Sequence, residues 1–150
     1  THSLPQEVDA VAASGAGVVL CPGTEANLGD GVCDLDGWLA APTPISIGTD
    51  SHVTRAWPQE LQLLEYGQRL VKQRRNVAAH ATQEPSTAAR LFARVLQGGA
   101  VAAGWTSIGF VPGARADVVV VDLQQPALCG TPAAYLLDAL VFSGAAVPFA

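Results

Sequence analysis

Apolar residues near the start fall at helical spacing. Ser3 and Gln6 have the spacing of a capping box, and Pro5 suits a first helical turn. Val8, Val11 and Ala12 follow at i, i+3 and i+4, and Gly15 stops the pattern. The period then changes. Residues 17–21 (GVVLC) are short, apolar and β-branched, which predicts a buried strand. Residues 22–31 (PGTEANLGDG) read as a loop, with three glycines, a proline, Asn and Asp. A short helical patch around residues 36–41 leads through Pro42 and Pro44 to residues 45–48 (ISIG), a second buried strand. That strand ends on the polar tip Thr49-Asp50-Ser51-His52.

Residues 58–76 predict one long helix, with Leu61, Leu64 and Val71 on one face and Leu63 and Leu70 beside it. Its end carries Arg69, Lys72, Arg74 and Arg75. Cations there complement the negative end of a helix dipole, or they mark an anion or partner site. Residues 87–103 predict a second, Ala-rich helix, broken near Gly98-Gly99. Residues 109–123 read as a turn, then Asp117, then a four-valine strand at 118–121 that closes on Asp122. Residues 136–149 are apolar with no stop signal. Helices alternating with short apolar strands predict an α/β fold with parallel strands. Two polar clusters follow strands, and the carboxyl edge of such sheets is where ligands bind.

Composition narrows the class. The 150 residues are 49% hydrophobic and 14% charged, so the chain has ample apolar surface for a core and is not a disordered one. The net charge of −5 argues against a nucleic-acid module, whose phosphate contacts need a basic surface. The longest apolar runs are far short of the roughly 20 residues of a membrane span. No basic-then-apolar leader opens the chain. Met is absent and the first residue is Thr1, which predicts a segment of a longer protein. Three cysteines, widely spaced and without a CxxC pair, make neither a disulfide framework nor a zinc knuckle, and a reducing cytoplasm is expected.

Asp50 is the sharpest candidate for chemistry. A carboxylate just past a buried strand can hold a metal, act as a base, or cap a following helix. His52 beside it is a ligand candidate or a hydrogen-bonded structural residue. Glu25, Asn27 and Asp30 decorate the first polar segment, either as turn formers or as a binding loop. His2 precedes the first helix, and His80 lies in a polar stretch where solvation is expected. A metal site takes three or four ligands. This chain offers Asp50 and a stray His, so the constellation is incomplete.

Several motifs together resemble the deaminase branch of the amidohydrolase superfamily. Cys21-Pro22-Gly23-Thr24-Glu25-Ala26-Asn27-Leu28-Gly29-Asp30-Gly31 resembles the loop after the seventh barrel strand, and Gly48-Thr49-Asp50-Ser51-His52-Val53 the tip of the eighth. Leu64-Glu65-Tyr66-Gly67-Gln68-Arg69-Leu70, with Arg74-Arg75-Asn76, resembles a narrower family that hydrolyses the formimino group of N-formimino-L-glutamate. Gly113-Ala114-Arg115-Ala116-Asp117-Val118-Val119 resembles the return to a small β-domain.

The resemblance implies strands 7 and 8 of a TIM (β/α)8 barrel over residues 1–108. Residues 109–150 would then be part of a small β-sandwich domain. It implies one divalent metal, zinc as a rule, held by an HxH, a further His and an Asp. Asp50 matches that Asp, which in the family both ligates the metal and takes a proton from the attacking water. Glu25, Asn27 and His52 become substrate-side candidates. The remaining ligands, the catalytic Glu and the strand-6 His fall before Thr1, and His2 matches a neighbouring, non-catalytic His. The implied reaction turns the formimino group into a formyl group and releases ammonia, in the cytoplasm and in histidine degradation. The expected partner is a small molecule, with no nucleic acid and no membrane, and a homodimer of the full-length protein stays open. Two alternatives stand beside this: another deaminase of the superfamily, and a non-catalytic remnant or interaction domain using the basic helix end. The isolated 150 residues are expected to fold poorly and to be inactive.

Overall fold

A computed structural model describes residues 2–143. Helix α1 (Pro5–Ser14) starts one residue later than Ser3 and Gln6 suggest. Its N-cap is Leu4, whose N–H donates to Glu7 Oε2 at 2.8 Å. A carboxylate accepts that bond better than an amide and favours the positive helix end. Gly15, in the left-handed region at φ 73°, ends the helix.

Strands β1 (Val18–Leu20) and β2 (Ile45–Ile47) pair in parallel, with Val18 opposite Ile45 and Leu20 opposite Ile47. The ladder is extended at both ends: Val18 N donates to Pro44 O at 2.8 Å and Gly48 N to Leu20 O at 3.0 Å. The α/β organisation with parallel strands is therefore as expected.

The segment read as a loop at residues 22–31 is instead largely helix α2 (Pro22–Leu28). Its turn-forming residues sit at its ends. Pro22 occupies the first turn, where a missing N–H costs nothing, and Gly29 closes the helix at φ 74°. Helix α3 (Leu35–Ala40) is capped by Asp34, which accepts from Gly37 N at 3.3 Å.

Helix α4 (Trp57–Lys72) stops at Gln73, which is left-handed at φ 51°, before the expected residue 76. Its buried face runs Leu61, Leu64, Glu65 and Gln68, while Val71, expected inward, is 66% exposed. Two inward positions are polar because each has partners. Gln68 Nε2 donates to Cys33 O at 2.7 Å, and fully buried Glu65 accepts from Val77 N and Ala78 N, both at 2.9 Å. Glu65 also binds Arg69 Nε at 2.7 Å. Lys72 and Arg74 turn to Asp36. Most of the basic helix end is thus engaged inside the chain.

Helix α5 (Thr87–Ala102) begins with Ser86 Oγ accepting from Ala89 N at 3.0 Å and packs across β2. It runs unbroken through Gly98-Gly99, contrary to the expected break. Gly98 is a packing residue: a Cβ there would lie 1.9 Å from Ile45 O. Helix α6 (Leu136–Phe142) packs on α4 and α5, and residues 144–149 of the apolar tail lie outside the described residues. The core gathers Leu20, Leu35, Trp38, Ile45, Leu61, Leu64, Leu91 and Val141 between the helices and the sheet.

Two further expectations are corrected. Val118, Val119 and Val120 form no strand among the described residues and are exposed, since a strand needs a neighbour for its backbone groups. His80 is half-buried rather than solvated: its backbone bridges Glu84, with N to O distances of 2.8 and 3.0 Å.

Candidate active site at the carboxyl end of the sheet

Both strands deliver their polar clusters to one end. After β1 the chain turns at Cys21 into α2, and Cys21 N donates to Glu25 Oε1 at 3.2 Å. Glu25 thereby caps its own helix. Gly23 N donates to Glu60 Oε2 at 2.8 Å, so α4 reaches under the start of α2. A Cβ at Gly23 would lie 2.5 Å from Glu60 Oε1, which leaves glycine as the residue that fits.

After β2 the chain makes a turn from Thr49 to His52, closed by His52 N donating to Thr49 O at 2.9 Å. Asp50 takes the first central position with φ 49°. A non-glycine residue in that region is uncommon, although Asp tolerates it better than most. The Asp50 side chain is exposed, and no ion pair engages it among the described residues.

The two clusters are tied together by Thr24, which is buried at 3% exposure. Its hydroxyl donates to Thr49 O at 2.7 Å and accepts from His52 N at 3.0 Å. His52 is half-buried, and its Nδ1 accepts from Thr54 N at 3.2 Å. That bond assigns the proton of the neutral ring to Nε2.

Cys21 feels the charge of three carboxylates. Burial pushes its thiol pKa up, and the negative charges of Asp50, Glu25 and Glu60 push it further. The carboxyl end of the sheet thus carries net negative charge around a thiol that keeps its proton at neutral pH.

Of the sequence candidates, Asp50, His52 and Glu25 all lie at the carboxyl end of the sheet. Asn27 is exposed on α2, and Asp30 lies exposed just after that helix. Thr24, Glu60 and Cys21 were not singled out for this site by sequence reasoning. Glu60 had a visible signal, being an acidic residue next to Leu61 on the apolar face of a helix.

A single carboxylate does not make a metal centre. Among the described residues no three His, Cys, Asp or Glu side chains gather where a metal ion could sit. Among them also, no helix is long and apolar enough to cross a membrane.

Residues 1–147 match the amidohydrolase family. The chain belongs to that family. This amidohydrolase chain is 41% identical over 144 residues to the formimidoylglutamate deiminase of Pseudomonas aeruginosa, covering 96% of the chain and 32% of that protein. It is 30% identical over 131 residues to a 5-methylthioadenosine/S-adenosylhomocysteine deaminase of Halobacterium salinarum, covering 85% of the chain and 28% of the relative. A crystal structure of an amidohydrolase from Brucella melitensis superposes with a TM-score of 0.86 at 39% identity, over 96% of this chain and 31% of that one. The amidohydrolase chain therefore spans about a third of the length of these relatives.

Proposed function

We propose that the chain supplies the seventh and eighth strands, with their helices, of a (β/α)8 barrel in a longer metal-dependent hydrolase of C–N bonds. Residues 109–150 form its return to a small β-domain. The substrate is N-formimino-L-glutamate, converted to N-formyl-L-glutamate and ammonia. The observation that carries this reading is the placement of Asp50. It stands on a turn at the carboxyl end of β2, the end where barrel enzymes keep their chemistry, in a chain of the amidohydrolase family. The Pseudomonas relative supports the choice of substrate.

The residues present fit a metal as part of a donor set. An exposed carboxylate is a hard, anionic ligand, and Asp50 would hold the ion together with side chains from outside this chain. A bound divalent ion, zinc by expectation, supplies the Lewis acidity that makes water nucleophilic near neutral pH. Asp50 accepts the proton that the attacking water loses. The water oxygen bonds to the imino carbon as the C=N double bond becomes single. Asp50 hands its proton on to the terminal nitrogen, and the proton left on the attacking oxygen follows it. The C–N bond breaks, the oxygen stays as the formyl carbonyl, and the nitrogen leaves as ammonia. His52 carries an Nε2–H donor that its bond to Thr54 leaves unused, and with Glu25 and Asn27 it lines the substrate side. The enzyme works in the cytoplasm.

A second reading, deamination of an adenine nucleoside, is favoured by the Halobacterium relative. The test is ammonia release by the complete gene product that contains this chain. N-formimino-L-glutamate is expected to be turned over, with 5′-methylthioadenosine inert. Turnover confined to the nucleoside would establish the second reading, and release from neither would refute both.

A further inference from the structure

One contact at the sheet's carboxyl end takes no part in the bond changes of the proposed reaction. Thr24 reaches from α2 to both ends of the turn that carries Asp50. One hydroxyl gives its proton to Thr49 O at 2.7 Å and takes the His52 N–H at 3.0 Å. Asp50 lies between those two anchors at φ 49°, a conformation that persists only where its surroundings over-determine it. Outside glycine that conformation is disfavoured even for Asp, so a turn of this kind gains from being held.

Thr24 is itself held. It is the third residue of α2, and the residue before it, Gly23, is fixed by its bond to Glu60. Glu60 is 2% exposed on α4, so the anchor rests on the core rather than on solvent-exposed chain. The hydrogen bonds run from Glu60 to Gly23, through the backbone to Thr24, and on to Thr49 and His52.

We propose that Thr24 is a positioning residue. Its hydroxyl clamps the 49–52 turn and so aims the Asp50 carboxylate at the metal. This rests on the reading of Asp50 as a metal ligand. Threonine suits the task because its hydroxyl donates and accepts at once, and because its branched Cβ restricts the side-chain rotamer. Serine keeps the first property and valine only the second.

The test uses the complete gene product and measures zinc dissociation constants for the parent, Thr24→Val, Thr24→Ser and Asp50→Ala. Loss of a group that orients a ligand typically weakens metal affinity about 10- to 100-fold. Thr24→Val is expected to fall in that range, and Thr24→Ser to stay near the parent. A folded Thr24→Val that binds zinc as tightly as the parent, while Asp50→Ala loses it, overturns the clamp and leaves the Asp50 reading intact. Unchanged affinity in Asp50→Ala overturns that reading and the clamp with it. Amide exchange in the parent needs no variant. The His52 N–H is expected to be protected, and exchange at the rate of an open amide overturns the clamp even if Thr24→Val does not fold.

Discussion

Gly98→Ala and Gly99→Ala should change stability in opposite directions. The two glycines are neighbours in the C-terminal third of α5, and on helix propensity alone each substitution gains up to about 1 kcal/mol. Their surroundings differ. A Cβ at Gly98 would sit 1.9 Å from Ile45 O, 2.4 Å from Ile45 C and 2.8 Å from Ile45 N. All three atoms belong to the backbone of β2, which is paired with β1 and has no rotamer to change. Restoring ordinary contact moves α5 off the sheet by roughly 1.5 Å and opens the layer where Leu91 and Val95 are buried. Overpacking of this kind costs about 1–3 kcal/mol, and an immovable neighbour argues for the upper end. The net expectation for Gly98→Ala is a loss of about 2 kcal/mol. At Gly99 nothing lies within 4 Å, so the propensity gain of about 0.5–1 kcal/mol stands alone. Denaturant unfolding of both variants of the complete protein reads the difference. A Gly98→Ala variant as stable as the parent, or the same sign for both, would refute the account of α5 packing.

Glu65→Gln removes a charge that is fully buried against two backbone N–H groups and Arg69, and should cost about 3 kcal/mol in the same unfolding assay. A neutral result would mean that Glu65 does not anchor residues 77–78. The Cys33 thiol is pushed up from 9.0 to about 11, chiefly by burial and then by the Glu25 charge. The folded state therefore holds its proton where the unfolded state loses it. Stability should fall by roughly 2 kcal/mol as pH rises through that interval, and Cys33→Ala should flatten the decline. Thiol labelling of the native protein should modify exposed Cys129 well before Cys33. Purified alone and loaded with zinc, the 150-residue chain should release no ammonia, because its described residues gather no set of three ligands. Appreciable turnover would contradict the incomplete-site account.

The helix and strand periods were legible because burial follows them: Val8, Leu20, Ile45, Leu61 and Leu64 all lie in the core. The differences share a cause: a residue that punctuates structure looks, in local sequence, like one that interrupts it. Pro22 and Gly29 bound a helix rather than fill a loop, and Gly98 permits contact between a helix and a strand far away in sequence. Local pattern carries no information on that approach. The valines at 118–120 have strand composition but no partner among the described residues, and a partner is not a local property. At the site, Asp50 and His52 could be picked from their place after a strand. Thr24 could not, because its meaning lies in two bonds made to residues some 25 and 28 positions later.

The central claim is that Asp50 binds the catalytic metal of a larger amidohydrolase. The most direct test is a crystal structure of the complete, zinc-loaded gene product, with the ion located by its anomalous scattering. The account predicts the ion at the carboxyl end of β2, with an Asp50 oxygen among its ligands and the Thr24 bonds to Thr49 and His52 intact. An ion bound elsewhere, with Asp50 left to solvent, would contradict it.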